Sequence, residues 1–193
     1  MFMVVCNVGA SLVSLQVPDG DGRPGEVVLG LDSPRDYLDN PNYLGATVGR
    51  CAGRIRQGRF RLQGREYRLP LNFGQHHLHG GPRGFSHRMW DTAGSRQGRA
   101  GLSEITFTLR SPDGDQGYPG AVDVAVTYRL EPVGRLRIRF RGRAFTSRIS
   151  NFRQTRLTNL AKIEENGALI GRTLRQQESK KAFAVVEPKA PCG

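Results

Sequence analysis

Residues 135–143 read RLRIRFRGR, and this stretch alternates arginine with apolar side chains. Side chains of a β-strand point to opposite faces with a period of two. The stretch therefore predicts a strand that buries Leu136, Ile138 and Phe140 and turns a row of arginines to the other face. An RNA-binding face is the alternative, but it would interleave aromatic rings with the cations, and this arginine row has none. We favour a solvated sheet face.

Other short apolar runs extend this pattern along the first three quarters of the chain. Glycines and prolines separate these runs, as is typical of antiparallel β structure. In the clearest hairpin, Phe60 and Leu62 alternate with arginines before a QGRE turn. The pattern predicts an all-β protein, an antiparallel β-sandwich. The predicted strands are SLVSLQV (11–17), EVVLGL (26–31), GRFRLQGREYRL (58–69), GLSEITFTLR (101–110) and AVDVAVTYRL (121–130).

The chain is basic, with 29 Lys and Arg against 17 Asp and Glu in 193 residues and a net charge of +12. Such a charge suggests a nucleic acid or another acidic surface as a partner. The arginines are spread along the chain, however, and a nucleic-acid footprint needs clustering on one face. We predict no specific nucleic-acid partner, and nonspecific retention on DNA remains the alternative hypothesis.

Cysteine usage and hydropathy favour a cytoplasmic protein without a membrane partner. Cys6, Cys51 and Cys192 are too few and too widely spaced to predict a disulfide framework or a structural zinc site. The apolar N-terminal segment lacks a basic leader and is predicted to form one or two strands. No apolar run approaches the length that crosses a bilayer.

Three of the four histidines lie in the loop HHLHGGPRGF (76–85). His77 and His79 are two residues apart, so on an extended strand they would point the same way, as in a metal-binding pair. A zinc or iron site needs further ligands, and the nearest carboxylate is Asp91, so we predict no metal. Gly80 and Gly81 let an imidazole lie beside a small polar ligand. A glycine-rich turn with incidental histidines remains the alternative.

Two further clusters combine small residues with charge. In NYLGATVGRCAGRI (42–55), Arg50 and Arg54 are four residues apart, and a guanidinium held among small residues can bind ligand oxygens. Surface arginines beside a turn are the alternative. The segment SPDGDQGYPG (111–120) lacks the length and terminal glutamate of a calcium loop, so we predict a plain turn.

Together the three clusters identify a resemblance to the aldose 1-epimerase (galactose mutarotase) family over roughly residues 7–144. The matching segments are residues 7–72, which contain GATVGRCAGRI, then LHGGPRGFSHRMWD (78–91) and SPDGDQGYPGAVDVAVTYRL (111–130). The resemblance implies a galactose mutarotase-like antiparallel β-sandwich. It also implies interconversion of the α and β anomers of hexoses such as galactose and glucose, by acid–base ring opening without metal or organic cofactor.

Within that resemblance, Arg54 matches the family's sugar-binding arginine and His79 matches the histidine of its LHGG motif, which contacts the sugar near the ring oxygen. Gly53 stands where the family has an asparagine, so one sugar hydrogen bond is expected to be lost. His76 and His77 are expected to be incidental, because the matching family positions need not be histidine.

The family's acid–base pair has no match in this chain. The family's general acid is a histidine in an LTNHSYFNL segment, and in RLTNLAKI (156–163) Leu160 stands in its place. The general base, a glutamate, has no matching context, so no catalytic residue is identified. The chain is therefore expected to be inactive alone, and a non-catalytic carbohydrate-binding module is the alternative function.

The domain organisation is predicted to change near residue 144. Residues 1–144 are expected to be the N-terminal part of an aldose 1-epimerase-like sandwich, incomplete and monomeric. Residues 145–193 are expected to be a divergent, weakly ordered basic tail, irregular or with a short helix on either side of Asn166-Gly167, arising from splicing or a shifted reading frame.

Overall fold

The computed structural model describes residues 1–97, 103–131, 134–145 and the two residues 158–159. In these ranges the chain forms twelve strands joined by turns and by short 3-10 segments at Pro34–Asp39, Phe85–His87 and Asp115–Gly117. The strands are β1 (Phe2–Cys6), β2 (Ser11–Pro18), β3 (Pro24–Glu26), β4 (Arg54–Arg56), β5 (Arg59–Leu62), β6 (Arg65–Arg68), β7 (His76–Leu78), β8 (Asp91–Gln97), β9 (Ser103–Ser111), β10 (Ala121–Glu131), β11 (Arg135–Phe145) and β12 (Thr158–Asn159).

All strand pairs in the described ranges are antiparallel. A five-stranded sheet has the order β12-β11-β10-β9-β8, and a three-stranded sheet has the order β1-β2-β3. Strands β4 and β7 form one small two-stranded sheet and β5 and β6 another. Strands β10 and β11 pair without interruption from Ala121↔Phe145 to Glu131↔Arg135.

The core lies between the three-stranded and the five-stranded sheet. The two sheets are also joined by a hydrogen bond of 2.7 Å, in which the buried Tyr128 hydroxyl donates to the carbonyl of Ala10. Each large apolar side chain buried here contributes roughly 1.5–3 kcal/mol to folding. The predicted antiparallel sandwich is confirmed. The central cluster includes Met3, Leu12, Leu15, Phe85, Trp90, Ile105, Phe107, Val126, Tyr128, Leu136 and Ile138.

The alternation that predicted β11 is observed. Leu136 and Ile138 are buried at 3% and 8% exposure, and Phe140, also predicted to be buried, is half-buried. Arg141 and Arg143 are exposed, whereas Arg135, Arg137 and Arg139 are half-buried. The hairpin at 58–69 is also observed, with Phe60 paired to Tyr67 across β5 and β6. Both cases confirm that period-two patterning located the strands.

The apolar run at 26–31 does not form the predicted strand. Strand β3 ends at Glu26, the first residue of that run. The reason is the Glu26 carboxylate, which accepts hydrogen bonds from the backbone N–H groups of Leu15, Val27 and Val28 and from the Ser14 hydroxyl. The Val27 N–H still pairs with β2, because it also donates to the Leu15 carbonyl at 3.0 Å. The carboxylate takes the N–H groups of Leu15 and Val28, which a longer strand would have used for pairing.

Of the predicted tail at 145–193, the structure describes Phe145, which ends β11, and Thr158 and Asn159. Thr158 and Asn159 pair with Arg139 and Ile138 and so add β12 to the edge of β11. The predicted helix around residues 166–167 lies outside the described residues, and the proposed domain boundary near residue 144 stays a prediction. In the described part of the chain, no helix is long and apolar enough to span a membrane.

Candidate sugar site

The three residues that the sequence singled out lie together. Pairing of β4 with β7 places Arg54 opposite Leu78, so His79 follows immediately and Gly53 precedes immediately. Two hydrogen bonds join the flanking residues: Gly53 N–H donates to His79 Nδ1 at 3.1 Å, and His79 N–H donates to the Gly53 carbonyl at 3.0 Å. Arg54 and His79 are therefore held at one end of the same small sheet.

The backbone and ring of His79 are both constrained. His79 has φ 51°, a left-handed conformation that is uncommon outside glycine. Because Nδ1 accepts the Gly53 N–H, the ring is in the tautomer that carries its proton on Nε2. An edge of the Tyr43 ring packs against the imidazole, with centroids 4.7 Å apart. His79 can therefore present a hydrogen-bond donor in a fixed direction.

Tyr43 also contacts a second histidine, and the sequence reasoning missed both residues. The centroids of Tyr43 and His87 are 5.5 Å apart, so the phenol lies beside both His79 and His87. Burial lowers the pKa of His87, against the opposing effect of Asp39. Burial raises the pKa of Tyr43. Burial thus favours the neutral form of both side chains. Tyr43 has φ 55°, and no sequence signal marked it as part of the site.

An exposed aromatic ring lies beneath Arg54. The guanidinium carbon is 4.5 Å from the centroid of Phe73, a cation–π contact. Phe73 is 47% exposed, so the contact lies at the surface rather than in the core. The arginine and the ring together offer hydrogen-bond donors and an apolar face. The one sequence feature that could have marked Phe73 is weak, an aromatic residue next to Gly74.

The glycines of the LHGG motif are required by close packing. A Cβ at Gly80 would lie 1.5 Å from the carbonyl oxygen of Gly49, and one at Gly81 would lie 2.7 Å from Oε1 of Gln116. Both glycines also have positive φ. The loop after His79 therefore tolerates no side chain at either position.

Arg50 binds the protein's own oxygens, so the prediction that it could bind ligand oxygens is wrong. Its Nε donates to the Ser111 hydroxyl at 2.9 Å, and its two Nη atoms donate to the carbonyls of Ser111, Pro112, Pro119 and Gly120 at 2.6–3.1 Å. These five bonds match the five N–H donors of a guanidinium. Burial lowers the pKa of Arg50, against the opposing charges of Asp115 and Asp113.

His77 and His79 do not form a metal-binding pair. Strand β7 ends at Leu78, and the fully buried ring of His77 bonds the Pro70 carbonyl through Nδ1 at 2.7 Å and the Tyr118 hydroxyl through Nε2 at 2.8 Å. His77 therefore has a structural role in this loop, and the expectation that it is incidental to the sugar site stays a prediction. His76 accepts the N–H of Gln57 at 3.2 Å. No group of three or more candidate metal ligands occurs among the residues described.

The turn at 111–120 is held by ion pairing. Asp115 accepts from Arg88 at 2.8 Å and from the Ser111 hydroxyl, and Asp113 accepts the N–H of Gly120. These contacts confirm the plain turn and show what stabilises it.

Comparison with known sequences identifies the family. A sequence model described as aldose 1-epimerase matches residues 1–149. This chain belongs to the aldose 1-epimerase family. It is 40% identical over 153 residues to a galactose mutarotase from Sus scrofa and 38% identical over 141 residues to an aldose 1-epimerase from Escherichia coli K12. These alignments cover 79% and 73% of this chain but 43% and 39% of the relatives, so the chain spans less than half of their length.

Solved structures of aldose 1-epimerase family members share the fold. A crystal structure of an aldose epimerase homologue from C. elegans matches with TM-score 0.67 and 29% identity, over 75% of this chain and 46% of that one. A galactose 1-epimerase from Lactobacillus acidophilus matches with TM-score 0.63 and 34% identity, over 72% and 39%. The galactose mutarotase-like fold is thereby confirmed.

Thr158 and Asn159 form β12 beside β11. They lie beyond residues 1–149, which the family model matches. Leu160, which we expect at the position of the family's histidine, lies outside the described residues, so that expectation stays a prediction.

Proposed function

We propose that this chain binds a hexose such as galactose or glucose through Arg54 and His79, as the sugar-binding part of an aldose 1-epimerase site. One observation carries the proposal: the reciprocal hydrogen bonds between Gly53 and His79 hold Arg54 and His79 at the same end of the β4–β7 sheet. Their side chains are a guanidinium fork and an imidazole, both suited to oxygen atoms. Membership of the family supports a sugar as the ligand.

Each residue has a distinct role in this proposal. The Nε2–H of His79 donates to the ring oxygen, the position where protonation would start ring opening. Arg54 donates to hydroxyl groups through its planar fork. Phe73, beneath Arg54, packs against the apolar face of the sugar ring. Gly53 offers no side-chain amide, so its contribution is limited to the backbone.

We propose further that the chain alone has little or no mutarotase activity. Anomerisation needs one group to remove the proton of the anomeric hydroxyl and another to protonate the ring oxygen. Leu160 stands where the family has its acid, and leucine cannot transfer a proton. No role is assigned to any glutamate of residues 164–187. The function that remains is carbohydrate binding without turnover.

Calorimetric titration with galactose tests the binding. We expect saturable binding by the wild-type chain and a loss of about fivefold to thirtyfold in affinity in Arg54→Gln and His79→Gln, since each removes a ligand hydrogen bond of about 1–2 kcal/mol. Arg61→Gln is the matched control, because Arg61 is an exposed arginine on the neighbouring β5 hairpin. Equal affinities in all four proteins would exclude this site.

A further inference from the structure

The arginine row of β11 is divided into two electrostatically different halves. At one end, Arg135 and Arg137 of this row contact the Glu131 carboxylate with N–O distances of 3.3 and 3.1 Å. Arg129 of the adjacent β10 contacts the same carboxylate at 3.6 Å. At the other end, Arg139, Arg141 and Arg143 have no carboxylate partner in the described part of the chain. The positive charge of the row is therefore concentrated at the end near Phe145.

A cavity of about 620 Å³ opens at that charged end of the five-stranded sheet. Across the sheet, Asp123 of β10 lies between Arg143 of β11 and Arg110 of β9. Arg141 of β11 and Asp91 of β8 lie at the same level of the sheet, with β9 and β10 between them. These five side chains line the cavity, and Arg110 is paired to Asp123 at 3.0 Å. The lining thus carries three guanidinium groups and two carboxylates.

The geometry points to a second ligand site here: we propose that this cavity binds a small phosphate ester of a polyol. Arg141 and Arg143 are the phosphate-binding residues, because a guanidinium fork matches phosphate oxygens and neither is engaged in an ion pair like that of Arg110 with Asp123 in the described part of the chain. Asp91 and Asp123 accept hydrogen bonds from hydroxyl groups. The volume falls within the range of roughly 300–1,000 Å³ typical of small-molecule sites.

The carboxylates argue against a nucleic-acid strand on the same surface. A polyanion laid along β11 would bring phosphates close to Asp91 and Asp123, and like charges repel. A ligand with one phosphate and several hydroxyls instead satisfies both kinds of lining group. The ring of Phe145, 4.7 Å from the Arg143 guanidinium carbon and 5.4 Å from that of Arg110, steadies the two cations that flank it.

This site shares no lining residue with the proposed hexose site. Arg54 and His79 lie at the end of the β4–β7 sheet, whereas the cavity is formed by β8, β9, β10 and β11. The failure of one proposal would therefore leave the other unaffected.

Calorimetry with sorbitol 6-phosphate tests the proposal, because this probe has a phosphate and hydroxyls but no ring oxygen or anomeric carbon. Sorbitol and inorganic phosphate are the partial probes, and a short single-stranded DNA is the competing polyanion. The variant Arg141→Gln/Arg143→Gln removes the unpaired cations. Arg135→Gln is the matched control from the neutralised end of β11, and Arg54→Gln controls for the hexose site. Trp90 emission verifies folding, since this residue is 2% exposed in the core.

We expect sorbitol 6-phosphate to bind more tightly than either partial probe. The affinity should fall at least about tenfold in Arg141→Gln/Arg143→Gln and stay within about twofold in Arg135→Gln and Arg54→Gln. Three outcomes would overturn the proposal: equal affinity in the folded double variant, an equal loss in Arg54→Gln, or displacement of the probe by the DNA at a lower concentration than by inorganic phosphate.

Discussion

Gly53 and His79 exchange two hydrogen bonds, one from the Gly53 N–H to His79 Nδ1 at 3.1 Å and one from the His79 N–H to the Gly53 carbonyl at 3.0 Å. The first fixes the tautomer of the imidazole and the second fixes its backbone. Because Arg54 follows Gly53 directly, the same pair also sets the position of the arginine. The site is thus organised by backbone groups that are 26 residues apart in sequence.

Gly53→Asn should preserve the fold and strengthen galactose binding. No atom lies within 4 Å of a Cβ built at Gly53, and asparagine tolerates the φ of +81° found there. The added amide supplies a hydrogen bond that the glycine lacks, so we expect an affinity gain of about threefold to tenfold by calorimetry.

Gly80→Ala is the contrasting variant for that experiment. Its Cβ would lie 1.5 Å from the Gly49 carbonyl oxygen, so the loop that carries His79 must move. We expect a lower melting temperature and loss of galactose binding. A stable Gly80→Ala protein with unchanged affinity would contradict the described packing of this loop.

Arg50→Lys should destabilise the protein although it keeps the charge. A lysine has three donors on one nitrogen and cannot reproduce five bonds to Ser111, Pro112, Pro119 and Gly120. Leaving several of these acceptors unpaired, four of whose bonds to Arg50 are part-buried, should lower the free energy of unfolding by roughly 3 kcal/mol. Urea denaturation followed by Trp90 emission measures this. Arg54→Lys, at an exposed position, should cost less than about 1 kcal/mol.

Acidification should destabilise the protein through His77. Burial lowers the pKa of His77 from its ordinary value of 6.5, so the unfolded chain binds a proton at a higher pH than the folded chain does. The contribution of His77 to the free energy of unfolding is therefore present above its ordinary pKa of 6.5 and is lost as the pH falls below that value. His87, whose pKa burial also lowers, acts in the same direction.

His77→Gln tests the origin of that pH dependence. The free energy of unfolding, measured from about pH 8 to pH 5, should depend less steeply on pH in the variant than in the wild type. The variant is also less stable at pH 8, because Pro70 and Tyr118 lose their partner. His76→Gln, which removes an adjacent imidazole that is not fully buried, is the control. An unchanged slope in His77→Gln would exclude His77 as the titrating group.

Phe73→Ala should weaken galactose binding without affecting folding. Phe73 is 47% exposed, so little core packing is lost, while the apolar surface under Arg54 disappears. We expect a threefold to tenfold loss of affinity, about 1 kcal/mol. Leu71→Ala removes a similarly exposed apolar side chain two residues away and should leave the affinity unchanged. Equal losses in both variants would indicate a general surface effect.

The sequence predicted those parts of the fold that depend on local alternation. Strand β11 and the β5–β6 hairpin could be located from a period of two because each buries one face. The end of β3 at Glu26 could not be predicted from the apolar run at 26–31, because the Glu26 carboxylate competes for backbone N–H groups there. A side chain that bonds to the backbone leaves no periodic signal in the sequence.

The candidate site was predictable only in part, for a similar reason. Arg54 and His79 were found through resemblance to the family, and their adjacency depends on pairing between β4 and β7. Arg50 and Arg54 look alike in the sequence, but the partners of Arg50 lie 61 to 70 residues downstream. The contacts of Tyr43 with His79 and His87 likewise join distant residues, and no local pattern reports them.

The most direct test of the central claim is one proton NMR experiment on freshly dissolved α-galactose with the wild-type chain and with Arg54→Gln and His79→Gln. It measures anomer interconversion and saturation transfer from protein to sugar in the same sample. We predict saturation transfer with the wild type, its loss in both variants, and interconversion at the buffer rate in every sample. Interconversion well above the buffer rate that His79→Gln abolishes, or an absence of saturation transfer with the folded wild type, would contradict the account.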